Sequence, residues 1–243
     1  MSTPRQLALD LGARPALGRS DFLVAPANRL ALAQVDGWPD WPARRLALSG
    51  PAGSGKTHLV HVWAGRTGAR VIAGDALPGL DLGAIEGDAA VAVEDADRIK
   101  PGDRHAAEEA LFHLCNRLAA GGSLLVSGRE PPARWAIALP DLASRLGATA
   151  VARLDPPDDA LLGAVLVKLF ADRQLNVAPD LIRLLLGRME RSFAAAEAMV
   201  AALDQAGLAR HRPITARLAG ELLRGSGADQ PDRDVDEERA QSG

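Results

Sequence analysis

Through the middle of the chain, short apolar runs alternate with stretches whose apolar positions recur every three or four residues. The runs Leu46-Ala47-Leu48, residues 70–73, residues 89–93, Ser123-Leu124-Leu125-Val126-Ser127 and residues 149–154 read as buried strands. Between them, residues 58–63 open a helix and residues 139–146 form a short one. Residues 103–120 set Ala107, Ala110, Leu111, Leu114, Cys115 and Leu118 on one stripe at helical spacing. Residues 79–87 read as a loop with at most one helical turn. Strands alternating with helices predict an α/β fold, a parallel sheet with helices on both faces. Asp155-Pro156-Pro157 ends the alternation, and residues 158–174, 179–189, 192–206 and 214–224 are helical, with Pro179 suited to a first turn. Upstream, Phe22-Leu23-Val24 reads as a short strand and residues 28–35 as a helix. Trp38-Pro39-Asp40-Trp41-Pro42 reads as a rigid turn whose tryptophans plug the core.

These elements divide the chain. Residues 1–20, interrupted by Pro4, Gly12, Pro15 and Gly18, form a flexible arm. Residues 21–154 form the α/β domain and residues 155–224 a small helical lid. Residues 225–243 are rich in Asp and Glu without an apolar cluster and are expected to be disordered.

Between the first strand and the helix after it stands Gly50-Pro51-Ala52-Gly53-Ser54-Gly55-Lys56-Thr57, which fits G-x-x-x-x-G-K-[ST] at every fixed position. The strand, glycine loop and helix N-terminus make a phosphate cradle of inward backbone N–H groups and positive helix dipole. Lys56 reaches the β- and γ-phosphates, and the Thr57 hydroxyl suits Mg²⁺. With His58, which opens the helix, these residues are the candidate set for binding ADP or ATP. Glu94 and Asp95 follow an apolar strand, where an open parallel sheet holds its ligands. A carboxylate there holds Mg²⁺ through water, so Thr57 and Glu94 are the candidate metal residues.

Composition narrows the picture. Hydrophobic residues make up 47% of the 243, aromatics 3%, and the net charge of −3 gives no basic field for nucleic acid. The single cysteine, Cys115, excludes an internal disulfide and lies on the apolar stripe as a core residue. No apolar run approaches a membrane span and the N-terminus lacks a secretory signal, so a cytoplasmic protein is expected.

The order of parts resembles the AAA+ ATPases, and more closely their DnaA branch. Phe22-Leu23-Val24-Ala25-Pro26-Ala27-Asn28-Arg29 resembles the segment that lies near the adenine, which implies a nucleotide contact for Asn28. Ala90-Val91-Ala92-Val93-Glu94-Asp95-Ala96-Asp97 resembles Walker B. Ser127-Gly128-Arg129-Glu130-Pro131-Pro132 resembles the sensor 1 region, with Ser127 at the polar position. Leu142-Ala143-Ser144-Arg145-Leu146 resembles the box carrying the arginine finger, at Arg145, and Arg191 resembles the sensor 2 arginine. The resemblance is collinear from residue 21 to residue 224. It implies catalytic roles for Arg145, Glu94, Asp95 and Ser127. Walker B ends here in Glu-Asp rather than Asp-Glu, and the shorter Asp95 predicts weak or no hydrolysis of the chain's own nucleotide.

Two features point within that branch. No helix-turn-helix DNA-binding domain is legible after the lid. In the arm, Gln6-Leu7-Ala8-Leu9-Asp10-Leu11 resembles the peptide that docks on the DNA sliding clamp, with Gln6 at a pocket rim and Leu7, Leu9 and Leu11 on one side of an extended chain. An edge strand of the domain is the other reading of those leucines. The combination resembles the Hda-type regulators, which implies the sliding clamp (the DNA polymerase III beta subunit) and DnaA as partners. It also implies stimulation of ATP hydrolysis by DnaA and no sequence-specific DNA binding; a homo-oligomer is left open. The alternative is a self-contained AAA+ ATPase of helicase-loader or clamp-loader type. The latter would need a collar domain that this length does not accommodate. A small-molecule kinase is a weaker option, since nothing marks an acceptor site.

Overall fold

In the computed structural model, residues 22–210 and 213–226 are described. The arm with Gln6, Leu7, Leu9 and Leu11, and the acidic stretch after Ser226, lie outside them. The elements run α1 (Pro26–Asp36), β1 (Arg45–Ser49), α2 (Lys56–Thr67), β2 (Arg70–Ala73), β3 (Ala90–Glu94), α3 (Arg104–Leu118), β4 (Ser123–Gly128), α4 (Pro140–Gly147) and β5 (Ala150–Arg153). Then come α5 (Asp159–Asp172), α6 (Pro179–Leu186), α7 (Phe193–Arg210) and α8 (Ala216–Ser226). The strands form one five-stranded sheet in the order β2-β3-β4-β1-β5, and every pairing is parallel.

Residue parity along the strands explains why they read as unbroken apolar runs. Leu46, Leu48, Ala92, Leu125 and Ala152 face one side, against Leu59, Val60 and Trp63 of α2 and Ala31 and Leu32 of α1. Ala47, Val91, Val93, Leu124 and Val126 face the other, against Leu111 and Leu114 of α3 and Leu142 and Leu146 of α4. A parallel sheet covered on both faces favours apolar residues at successive positions through the middle of its strands. A third cluster, built around Leu162, Leu166, Phe170, Leu185 and Leu203, holds α5 to α8 together.

The expected strand at Phe22-Leu23-Val24 is not formed. The segment has no regular structure, because α1 covers the β5 edge, with Gln34 Nε2 donating to the Val151 carbonyl at 3.5 Å. Phe22 is buried instead, its ring edge-on to His58 at 5.2 Å between centroids. The connection from β2 to β3 contains two 3₁₀ segments, Gly74–Gly79 and Leu82–Ala84, and buries Leu77 and Ile85. The tryptophans of the 38–42 turn do plug the core: Trp41 stacks on Trp63 at 5.2 Å and Trp38 meets it edge-on at 6.5 Å. Cys115 is buried, and burial raises its thiol pKa.

α4 is held by a group from another element. It has no side-chain cap of its own and opens on Pro140. The carboxylate of Glu108, on α3 and only 5% exposed, accepts the N–H groups of Ala138 at 2.9 Å and Leu139 at 3.0 Å. Among the described residues, no helix is long and apolar enough to cross a membrane.

Candidate nucleotide-binding site

The loop Gly50–Thr57 leaves the C-terminal end of β1 and closes onto the N-terminus of α2. Gly55 occupies the cap position of α2 with φ +94°, a conformation in which a side chain is strained, and supplies no capping group. The first N–H groups of α2 therefore have no side-chain acceptor from the cap and are oriented for an anion. Lys56 is buried, and its Nζ donates to the carbonyls of Gly50 at 2.7 Å and Pro51 at 2.8 Å. Burial lowers its pKa, and the nearby charges of Asp95 and Asp97 oppose that shift. Ser54 Oγ is buried without a hydrogen-bond partner.

The lid meets this loop directly. The Phe193 N–H, the first of α7, donates to the Gly53 carbonyl at 3.0 Å. A Cβ added at Gly53 would stand 2.2 Å from Ser192 Cβ, so only glycine fits there. Ser192 is buried and caps α7 through the Ala195 N–H at 3.1 Å.

Beside the loop is a cavity of about 320 Å³, lined by Thr57, Ala73, Gly74, Asp75, Glu94, Asp95 and Arg98. It brings Thr57 together with Glu94 and Asp95. Glu94 Oε1 is buried with no partner, while Oε2 stands 3.8 Å from His61 Nε2. An orphaned carboxylate oxygen beside a hydroxyl is a donor set that suits a hydrated Mg²⁺, a hard cation that takes oxygen ligands. Asp95 adopts a left-handed φ of +49° and pairs with Arg98 at 3.3 Å. Its N–H donates to Ser127 Oγ at 3.1 Å, the Ala96 N–H to the Ser127 carbonyl at 2.8 Å, and the Arg129 N–H to Asp97 Oδ2 at 2.6 Å. The buried Ser127 thus fixes the turn that follows Glu94.

Three candidates lie apart from that cavity. Asn28 is buried, with Oδ1 accepting the Ala25 N–H and Nδ2 donating to the Leu23 carbonyl, each at 2.8 Å. Its amide thus holds the backbone of the entering segment. Arg191 pairs with Asp159 of α5 at 3.0 Å. Arg145 sits on the last turn of α4, with its guanidinium 5.0 Å above the ring of Phe112 and donating to Asn116 Oδ1. α4 leads straight into β5, where Ala150 is in register with Leu46, whereas the phosphate loop leaves from Ser49, in register with Arg153. Those three residues of strand, at about 3.3 Å each, separate the two ends by about 10 Å. Arg145 is therefore at the end of the sheet away from its own phosphate loop.

Sequence reasoning missed Phe112 and Asn116, Asp159 and Glu108. The first two stand four residues apart on α3, a spacing that gives one helix face, but nothing local tied that face to Arg145.

No family model matches the chain. In sequence it is similar to the chromosomal replication initiator protein DnaA of Thermomicrobium roseum, 26% identical over 253 residues, covering 92% of this chain and 53% of that protein. The chain thus spans about half the length of that relative. In structure it is similar to domain III of the Thermotoga maritima replication initiation protein DnaA, with a TM-score of 0.73 and 17% identity, covering 87% of this chain and 97% of that one. It is also similar to AMPPCP-bound DnaA from Aquifex aeolicus, with a TM-score of 0.64 and 16% identity over 79% of this chain and 66% of that one. The fold is that of domain III of the replication initiation protein DnaA.

Proposed function

We propose that the chain is a nucleotide-binding regulator of chromosome replication initiation, of the Hda type. It binds ADP or ATP at Gly50–Thr57, docks on the DNA sliding clamp through Gln6, Leu7, Leu9 and Leu11, and stimulates ATP hydrolysis by DnaA. The observation that carries this reading is the location of Arg145, held by Asn116 and Phe112 at the end of the sheet away from the chain's own phosphate loop. In this reading Arg145 serves a site on another molecule, where a positive charge stabilises phosphoryl transfer. Similarity to DnaA supports the choice of partner.

The chain's own cleft is a binding site first. Mg²⁺, held by Thr57 and Glu94, would neutralise phosphate charge there. Lys56 binds the phosphates, Ser127 orients the turn, and Asp95 is the candidate base. Asp95 is engaged by Arg98 at 3.3 Å and is one methylene shorter than glutamate. Both features support weak or absent intrinsic hydrolysis. The intact cleft also favours a second reading, a self-contained AAA+ ATPase.

One experiment separates the two. ATP hydrolysis is measured for this protein alone, for DnaA alone, and for both with DNA-loaded clamp. The regulator reading expects little turnover alone and a rise in the complete mixture. Rapid turnover by this chain alone, with no effect on DnaA, would install the second reading.

A further inference from the structure

We infer that Asp159 is a positioning residue that holds the Arg191 guanidinium in an ion pair within the lid, so that a bound nucleoside di- or triphosphate must draw the arginine off a carboxylate. The inference rests on the reading of Gly50–Thr57 as the nucleotide site, and it concerns how that site is regulated.

The backbone next to Arg191 already touches the loop. Ser192 lies so close to Gly53 that a Cβ there would come within 2.2 Å of Ser192 Cβ, and the Phe193 N–H bonds to the Gly53 carbonyl at 3.0 Å. Arg191 precedes Ser192, with their Cα atoms about 3.8 Å apart. Its long side chain therefore starts at the rim of the cradle. Yet Arg191 Nη2 stands 3.0 Å from Oδ1 and 3.1 Å from Oδ2 of Asp159, in the first turn of α5. Both carboxylate oxygens are engaged by one nitrogen.

Two further facts separate this pair from ordinary lid structure. Asp159 is not the cap of α5: the neighbouring Asp158 fills that role, its Oδ1 accepting the Leu161 N–H at 2.7 Å. The pair is also open to water, with the side chains of Arg191 and Asp159 61% and 56% exposed. Exposed ion pairs are weak, so this one holds the arginine without trapping it. A nucleotide's phosphates carry more charge than a carboxylate and would sit at the N-terminus of α2, beside that of α7. The exchange therefore favours the ligand. Lys56 follows the same pattern with neutral acceptors, the Gly50 and Pro51 carbonyls. Each of these two cations has an internal acceptor, but only Arg191 has a charged one.

The test is calorimetric titration of the full chain with Mg·ADP, for wild type, Asp159→Asn, Asp159→Glu, Arg191→Ala and the Asp159→Asn/Arg191→Ala double variant. Asp159→Asn is expected to tighten ADP binding by about 2–5-fold, the range a weak ion pair allows. Asp159→Glu keeps the charge and should stay near wild type. In the Arg191→Ala background, Asp159→Asn should change nothing. An equal gain in that background would mean that Asp159 acts only through its field and would overturn the inference. So would unchanged or weaker binding by Asp159→Asn. Lys56→Ala serves as the separate control. If it leaves ADP affinity intact, the loop is not the nucleotide site and the functional reading falls with the inference. If it weakens binding while Asp159→Asn behaves as wild type, only the inference falls.

Discussion

Replacing Glu108 by alanine should loosen the helix that carries Arg145. In the native chain the buried carboxylate accepts the N–H groups of Ala138 and Leu139 at the start of α4, where no local cap exists. The alanine variant leaves two part-buried donors without a protein acceptor, each costing about 1–3 kcal/mol if fully enclosed. Water reaching the exposed Ala138 lowers that cost. Release of the carboxylate from its own desolvation offsets part of that. The net loss should be about 2–4 kcal/mol, and for a chain of this size about 2–4 °C of Tm accompanies each kcal/mol. Thermal unfolding should therefore show a fall of about 5–15 °C. Glu108→Gln retains an acceptor oxygen but not the charge. Charge-assisted hydrogen bonds are roughly twice as strong as neutral ones, so it should lose about half as much. In the DnaA assay, Glu108→Ala should also reduce stimulation, because Arg145 sits on the last turn of the same helix, while ADP affinity should hold. A Glu108→Ala protein that melts within about 1 °C of wild type would refute the idea that this carboxylate caps α4.

Three further outcomes are expected. Without nucleotide, wild type should gain stability relative to Lys56→Met as pH rises toward 10.5, because the folded-state pKa of Lys56 lies below its unfolded value, while the loss of the bonds to the Gly50 and Pro51 carbonyls is the same at every pH. Burying the charge is unfavourable at neutral pH, and that penalty fades as pH rises through the folded pKa toward 10.5. Denaturant titrations should accordingly show wild type gaining stability relative to the variant with rising pH; a loss over that range would reverse the sign. Arg145→Ala should abolish stimulated hydrolysis by DnaA while ADP and clamp binding persist, and persistence of full stimulation would move the role to another arginine, Arg153 first. Joint replacement of Gln6, Leu7 and Leu9 by alanine should remove clamp binding with Tm nearly unchanged, whereas a large fall in Tm would return the arm to the domain core.

What the sequence disclosed followed from the range of each signal. The parallel strands were legible because burial on two faces demands continuous apolar runs, as at Leu124-Leu125-Val126. The phosphate loop was legible because its chemistry needs fixed spacing. Phe22-Leu23-Val24 misled because three apolar residues look alike in a strand and in a buried irregular segment, and only the covered β5 edge decides between them. The contacts that organise Arg145 and Arg191 join residues far apart in the chain: Asn116 lies 29 positions from Arg145, and Asp159 lies 32 from Arg191. No local periodicity encodes such pairs. Glu108 was hidden for a related reason: on a charged helix it reads as a solvated side chain, and its burial depends on the loop that returns over it.

The bond between the Phe193 amide and the Gly53 carbonyl makes one proton a reporter. The first N–H groups of a helix have no acceptor within that helix. Protection of the Phe193 amide against deuterium therefore comes from docking of α7 on the loop and not from the integrity of α7 itself. Amides further along α7 record fraying of the helix, so the ratio of the two exchange rates isolates the opening of the lid. A single labelled phenylalanine would then time how often the cradle is uncovered, with and without nucleotide, in a protein whose overall unfolding need not be disturbed.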